Sequence, residues 1–309
     1  MLYDKFMLVR ENGFNRGKDY CAVIFTHSRA NLLEQSIENF LGAEEKNGWS
    51  LVVVQQAGSP EIDRVLKDFE KEIGLLVRFN DIGKGVLGNI NYSRLMGSSI
   101  AFDLLGSQIV LGIEEDTKIS KDALFFIEQM QKKYGKKKRF RGVNLCSLLP
   151  LDDDLKSSYS ILRFGLSGQA GAINRKTWEK FDLDSLLRNI GEEEWASRIE
   201  PIMKTGFIIH PNNSRLYDQG WGGYSSSALN SSSQSFITQH ASWVGNYVPE
   251  GKDYLHKDMT GVWRSDAIPY KSWHNFYFDF RRKLWARKLF KVWKLFKLPI
   301  INPEKNLRD

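Results

Sequence analysis

Two rhythms of apolar residues alternate through the first part of the chain. Continuous apolar runs of strand length, Tyr20 to Thr26, Leu51 to Val54, Leu75 to Phe79 and Ile109 to Ile113, are each followed by a stretch whose apolar residues fall three and four apart. The stretch from Ala30 to Leu41 has Leu32, Leu33, Ile37, Phe40 and Leu41 in this spacing, and the next has Ile62, Val65, Leu66 and Phe69. A run apolar at every position fits a strand covered on both faces, and the longer period fits an amphipathic helix. Their alternation predicts an α/β fold: a mostly parallel sheet sandwiched by helices. Ser59-Pro60 and Ser120-Lys121-Asp122 read as helix starts, and the helix before the last of these strands is expected from about Asn89 to Leu105.

The run at Ile109 ends abruptly in three adjacent carboxylates, Glu114, Glu115 and Asp116. Like charges this close repel unless a cation or full solvation relieves them, and a hard divalent ion beside phosphates is a common relief. A solvated acidic turn is the plainer account. Position argues against it, because ligands of open α/β sheets bind at the carboxyl ends of strands. Asp152, Asp153 and Asp154 form a second triplet with no strand before it, and they read as a solvated turn.

Beyond residue 131 a basic run to Arg141 precedes a strand from Gly142 to Ser147. The segment from Gly165 to Gly171 is rich in glycine, which allows close approach of backbone to a sugar or a neighbouring strand. It leads into a helix from Arg175 to Phe181. Glu192, Glu193 and Glu194 open a helix at Trp195, where acids favour the helix dipole. A short strand ends at His210-Pro211, and the Ser/Asn-rich stretch 225–235 reads as a mobile loop.

Composition narrows the class. At 309 residues with 42% hydrophobic and 13% aromatic content, the chain is globular and long enough for one large domain or two unequal ones. Cys21 and Cys146 each sit inside an apolar run and read as buried thiols in a reducing compartment, with no disulfide between them. No apolar segment is long enough to span a bilayer and the amino terminus lacks a secretory apolar region, so a cytoplasmic location is expected. The net charge of +7 belongs to one tail: residues 271–298 hold nine Lys or Arg and one acid, while the remaining 35 basic and 36 acidic residues nearly cancel. That distribution favours a local anionic partner over nucleic acid wrapped around the body.

The order of these pieces resembles a GT-A glycosyltransferase, most closely the N-acetylglucosaminyltransferase I type, over roughly residues 20–223. The likeness is carried by Thr26-His27-Ser28-Arg29, Gln55-Gln56, Gly83-Lys84-Gly85 before Asn89 and Asn91, Glu114-Glu115-Asp116, Gly168-Gln169-Ala170-Gly171 before a Trp-bearing helix, Glu193-Glu194-Trp195, and His210-Pro211-Asn212. The resemblance implies a Rossmann-like GT-A domain, a nucleotide-sugar donor, Mn2+ or Mg2+, and inversion at the anomeric carbon. It assigns the metal to Asp116, with His210 as a further candidate ligand. Thr26, Arg29, Gln56, Lys84, Asn91, Glu114, Glu115 and Gly171 would meet the donor. Glu194, with Glu193 as competitor, would be the base that deprotonates the acceptor hydroxyl. The family tends to place an acid for the uracil ring after the second strand, where this chain has Gln56 and Ala57, so a UDP-sugar rests on Gln56.

Residues 1–245 are thus expected to form the catalytic domain, and 246–309 a C-terminal aromatic and basic extension. Within it, 280–298 reads as an amphipathic helix with Trp285, Leu289, Val292, Trp293 and Phe296 on one side and Lys283, Arg287, Lys291, Lys294 and Lys297 opposite. Such a helix suits the anionic inner face of the cell membrane, and a glycan or lipid-linked glycan acceptor in cell-surface polysaccharide synthesis. Two other readings compete. A sugar-nucleotide nucleotidyltransferase would need a glycine-rich loop after the first strand, where Thr26-His27-Ser28 stands instead. A membrane or nucleic-acid adaptor acting through the basic helix would lack donor hydrolysis.

Overall fold

The computed structural model describes residues 6–11, 18–147, 158–162, 170–192, 195–219 and 261–263. The chain divides into two units, Met1–Trp263 and Arg264–Asp309, and all described residues belong to the first. Glu193, Glu194, the triplet 152–154, the loop 225–235 and the helix expected at 280–298 lie outside the described residues.

The strands in chain order are β1 (Phe6–Glu11), β2 (Tyr20–Thr26), β3 (Trp49–Gln56), β4 (Leu75–Phe79), β5 (Ile109–Glu114), β6 (Thr117–Ile119), β7 (Phe140–Asn144), β8 (Tyr159–Leu162), β9 (Ala170–Asn174), β10 (Phe207–Pro211), β11 (Leu216–Asp218) and β12 (Gly261–Trp263). The helices are α1 (Ala30–Leu41), α2 (Pro60–Asp68), α3 (Gly85–Ser99), α4 (Ala123–Tyr134), α5 (Arg175–Trp178), α6 (Leu183–Arg188) and α7 (Trp195–Met203). The main sheet runs β1-β4-β3-β2-β5-β9-β7-β10-β8-β12, and β6 pairs with β11 in a separate ribbon. Its centre, β4-β3-β2-β5, is parallel as expected. The glycine-rich segment supplies β9, which runs antiparallel between β5 and β7. The sheet also takes in β12, parallel to β8, from the part of the chain assigned to the C-terminal extension.

Alternation along β2 sends Ala22 and Ile24 to one face and Cys21, Val23 and Phe25 to the other, so the strand is buried throughout. The first face packs on α1, α2 and α4 through Leu33, Ile37, Ile62, Leu66 and Phe126. The second packs on α3 and α7 through Leu95, Met96, Trp195 and Ile199. Cys21 and Cys146 are both buried free thiols, and they contribute to different cores.

Helix ends follow their sequence signals unevenly. Ser59 caps α2 by accepting from the Ile62 N–H, with Pro60 in the first turn. Ser120 does not cap α4. That helix begins three residues later, and the Ser120 hydroxyl donates instead to Asp122, 2.8 Å away. Asp122 in turn faces Arg215, a fully buried guanidinium 3.5 Å away that lies 4.6 Å over the Phe126 ring. The helix expected from 89 starts earlier, at Gly85, and its last turn, Ile100–Leu104, widens to π-helical pitch.

Small residues let α3 lie close on the sheet. A Cβ at Gly97 would stand 2.6 Å from Val23 Cγ1 and 3.0 Å from Phe25 Cε1 and Val54 Cγ2. Gly97→Val should therefore lower stability by about 1–3 kcal/mol through overpacking, read as a drop in the urea midpoint. An unchanged midpoint would contradict this contact.

Candidate active site

Parallel strands β2, β3 and β5 finish side by side, with Phe25 in register with Glu114 and Thr26 with Gln55. The Glu115 N–H donates to the Phe25 carbonyl at 3.1 Å, so the chain leaves β5 directly over the β2–α1 turn. The acidic triplet therefore stands at the carboxyl edge of the sheet centre, the edge at which α/β sheets bind ligands.

The three acids receive different partners. Glu114 pairs with Arg94, a buried guanidinium on α3. Glu115, 4% exposed, accepts at Oε2 from the Thr26 hydroxyl at 2.7 Å and the His27 N–H at 2.8 Å, and at Oε1 from Arg29 Nε at 2.8 Å. Those bonds satisfy a buried charge from inside the protein, which makes Glu115 a strut under the turn rather than a group turned toward a donor. Asp116 receives Arg29 at Oδ2, 2.7 Å away, while its Oδ1 is buried with no hydrogen-bond partner.

This asymmetry shows in the charges. Burial pushes the Asp116 carboxyl above its ordinary range, Arg29 pulls it down, and the charges of Asp218 and Glu115 raise it again. Burial alone would lower Arg29, but Asp116 and Glu115 outweigh it and hold the guanidinium above its usual value. A hard cation takes carboxylate oxygen, so the unpartnered Oδ1 fits one ligand of a divalent ion. Among the described residues no group of three or more His, Cys, Asp and Glu is arranged to hold a metal.

The turn before α3 forms the wall next to β2. Asp81 accepts from the Gly83 N–H at 2.8 Å and from Asn89 Nδ2 at 3.0 Å, bonds that hold its carboxyl below the ordinary range. Asn89 Oδ1 accepts from the Ile82 N–H, closing the loop on itself. Gly83 and Gly85 adopt φ of 71° and 70°, a left-handed conformation that favours glycine, and they leave Lys84 exposed between them. Gly191 packs on this turn: a Cβ there would stand 3.1 Å from the Lys84 carbonyl. The chain thus enters the acidic stretch before Trp195 beside the start of α3.

Several residues sit elsewhere than the sequence suggested. Asn91 is fully buried, and its amide donates to the Ile190 carbonyl at 2.8 Å, tying α3 to the turn before α7. Gln55, not Gln56, is fully buried; it lies between Asp63 at 2.7 Å and Arg78 at 2.9 Å, while Gln56 is half-buried at the strand end. Gly171 lies inside the sheet, opposite Gly112 of β5 and Asn144 of β7. His210 is not brought to the triplet. It belongs to β10, three strand steps from β5, about 14 Å at the usual spacing. Its Nδ1 lies 3.2 Å from Asn144 Nδ2. Arg94 and Asp218 join the site without having been singled out. For Arg94 the signal was present: an arginine among the small and apolar residues of α3 needs a buried partner.

No protein-family model matches the chain, and no curated protein matches it in sequence. Among solved structures it is similar to the mannosyltransferase PcManGT from Pyrobaculum calidifontis in complex with GDP-Man and Mn2+, at 15% identity and a TM-score of 0.37 over 58% of this chain and 51% of that one. It is also similar to S. aureus TarS 1-349, at 10% identity and a TM-score of 0.45 over 74% of this chain and 71% of that one. The same TarS fragment in complex with UDP-GlcNAc gives 11%, 0.47, 71% and 64%. The chain spans about half the length of the mannosyltransferase. These likenesses concern the course of the backbone and say nothing of individual residues.

Glu115→Gln removes a charge that serves Thr26, His27 and Arg29, and it should cost about 1.5–3 kcal/mol of stability. Glu114→Gln should cost less, because the Glu114 side chain is 27% exposed and solvent replaces part of what Arg94 provides. Urea unfolding of the two variants tests the ranking. Equal losses would contradict the strut role of Glu115.

Proposed function

We propose that the chain is a metal-dependent glycosyltransferase that moves a sugar from a nucleotide-sugar to an acceptor hydroxyl with inversion. The observation that carries this reading is the division of the triplet: Glu114 pairs with the buried Arg94, both oxygens of Glu115 accept hydrogen bonds, and Asp116 keeps one buried oxygen with no hydrogen-bond partner. The resemblance of the sequence motifs to GT-A enzymes supports it.

Asp116 would hold Mn2+ or Mg2+ through Oδ1. When bound, such an ion stabilises the negative charge that develops on a departing nucleoside diphosphate. Arg29, whose side chain is 37% exposed, can turn from Asp116 toward the same phosphates while Glu115 keeps its other edge in place. Lys84, exposed at the start of α3, adds a second cation on that side. Gln56 would offer its amide to the edge of a uracil ring, giving a UDP-sugar as the donor. Thr26 acts through Glu115 as a positioning residue.

Inversion needs a base on the face of the sugar opposite the leaving group. We assign that role to Glu194, with Glu193 one residue away; Gly191, shortly before them in the chain, packs on the Lys84 carbonyl. The acceptor is taken to be a glycan or lipid-linked glycan, reached with 280–298 resting on the inner face of the cell membrane. The enzyme would thus be a peripheral cytoplasmic protein of polysaccharide synthesis.

A panel of nucleotide sugars incubated with the protein and Mn2+ should reveal one that releases its nucleoside diphosphate, and chelation should stop the release. Absence of metal-dependent release from every donor would overturn the reading. Glu194→Gln should retain donor binding while slowing transfer by about 10²–10⁴-fold, the usual worth of a general base. Full activity in both Glu194→Gln and Glu193→Gln would remove this segment from the chemistry. The chain truncated after Tyr270 should lose binding to anionic liposomes, and undiminished binding would refute the membrane role of 280–298.

A further inference from the structure

Asp218 comes from a distant part of the chain, yet backbone pairing fixes it beside the triplet. It ends β11, is 9% exposed, and stands opposite Thr117 in the antiparallel ladder with β6. Opposed Cα atoms in such a ladder lie about 4.5–5.5 Å apart. The following residue closes on the triplet itself, for the Gln219 N–H donates to the Asp116 carbonyl at 2.8 Å. Both ends of the ribbon are anchored. Ser120 N–H donates to the Arg215 carbonyl at 3.0 Å, Arg215 faces Asp122, and the Gln219 amide reaches Gln35 of α1 at 2.8 Å.

Two buried acids, Asp116 and Asp218, thus stand at the start of the β6–β11 ribbon. Arg29 meets Asp116 at Oδ2. Oδ1 of Asp116 is buried without a hydrogen-bond partner. A hard divalent cation takes carboxylate oxygens, and one bound between the two acids would give the unpartnered oxygen its partner.

We propose that Asp218 is a second protein carboxylate for the divalent cation held by Asp116, so that the metal bridges the end of β5 and the β6–β11 ribbon. This rests on the assignment of the metal to Asp116 made above. The remaining positions around the ion are left to diphosphate oxygens and water.

Mn2+ binding to the full chain, followed by the loss of the free-ion electron paramagnetic resonance signal with and without UDP, tests the proposal without any turnover. Wild type should bind one ion, Asp116→Asn should lose it, and Asp218→Asn should bind at least tenfold more weakly, with Asp218→Glu between the two. Asp218→Glu keeps the charge in the ribbon and so reads the metal role even where Asp218→Asn fails to fold. Wild-type affinity in a folded Asp218→Asn, or in Asp218→Glu where the former does not fold, together with loss in Asp116→Asn, would overturn the role of Asp218 alone. Wild-type affinity in Asp116→Asn would overturn the metal assignment itself.

Discussion

A buried carboxylate, Glu115, holds the site together. It gathers the Thr26 hydroxyl, the His27 N–H and the Arg29 guanidinium from the turn between β2 and α1. That turn has little else to fix it. Arg29 occupies the cap position of α1 without a side-chain cap bond, and only its carbonyl receives the N–H groups of Leu32 and Leu33. A charge taken out of water needs full hydrogen bonding, so the placement of Glu115 dictates the conformation of residues 26–29. Arg29, once placed, reaches Asp116. The electrostatics of Asp116 thus follow from its neighbour.

The packing beneath sets the height of that carboxylate. Phe25 stands between two glycines: a Cβ at Gly112 or at Gly97 would come within 3.0 Å of its ring. With both side chains absent, β2 and β5 stay in register up to Phe25 and Glu114, and the Phe25 carbonyl receives the Glu115 N–H. Removing bulk from the core is ordinarily unfavourable, since dispersion and burial are lost. Here it allows the helix that carries Arg94, and the turn before it that carries Lys84, to approach the strand ends closely. Core geometry and site geometry are the same constraint met at two depths.

The layout was legible wherever local pattern decides it. Alternating apolar runs gave α1, α2 and the parallel strands β2 to β5 within a few residues, because both faces of that sheet are covered. Pairing between distant segments was not legible. Strands β8, β9, β11 and β12 are short, and their places depend on partners rather than on their own periodicity. The site shows the same division. Asp116 stood out as the end of an acidic run after a strand, but nothing local distinguished it from Glu115, whose partners lie 86 to 89 residues away. Gln55 and Gln56 are equivalent as letters; β3 buries one in a network with Asp63 and Arg78 and leaves the other at the strand end. His210 was attractive by its order in the motif series, and the insertion of β9 and β7 between β5 and β10 moves it away.

The central claim is that partners already in the fold spend Glu114 and Glu115 and leave Asp116 for the cation. Anomalous scattering from manganese in crystals grown with Mn2+ and UDP tests it most directly. The account predicts one manganese peak at about 2.0–2.6 Å from an Asp116 oxygen, with the Glu115 bonds to Thr26 and His27 intact. A peak on Glu114 or Glu115, or one coordinated away from the end of β5, would contradict it.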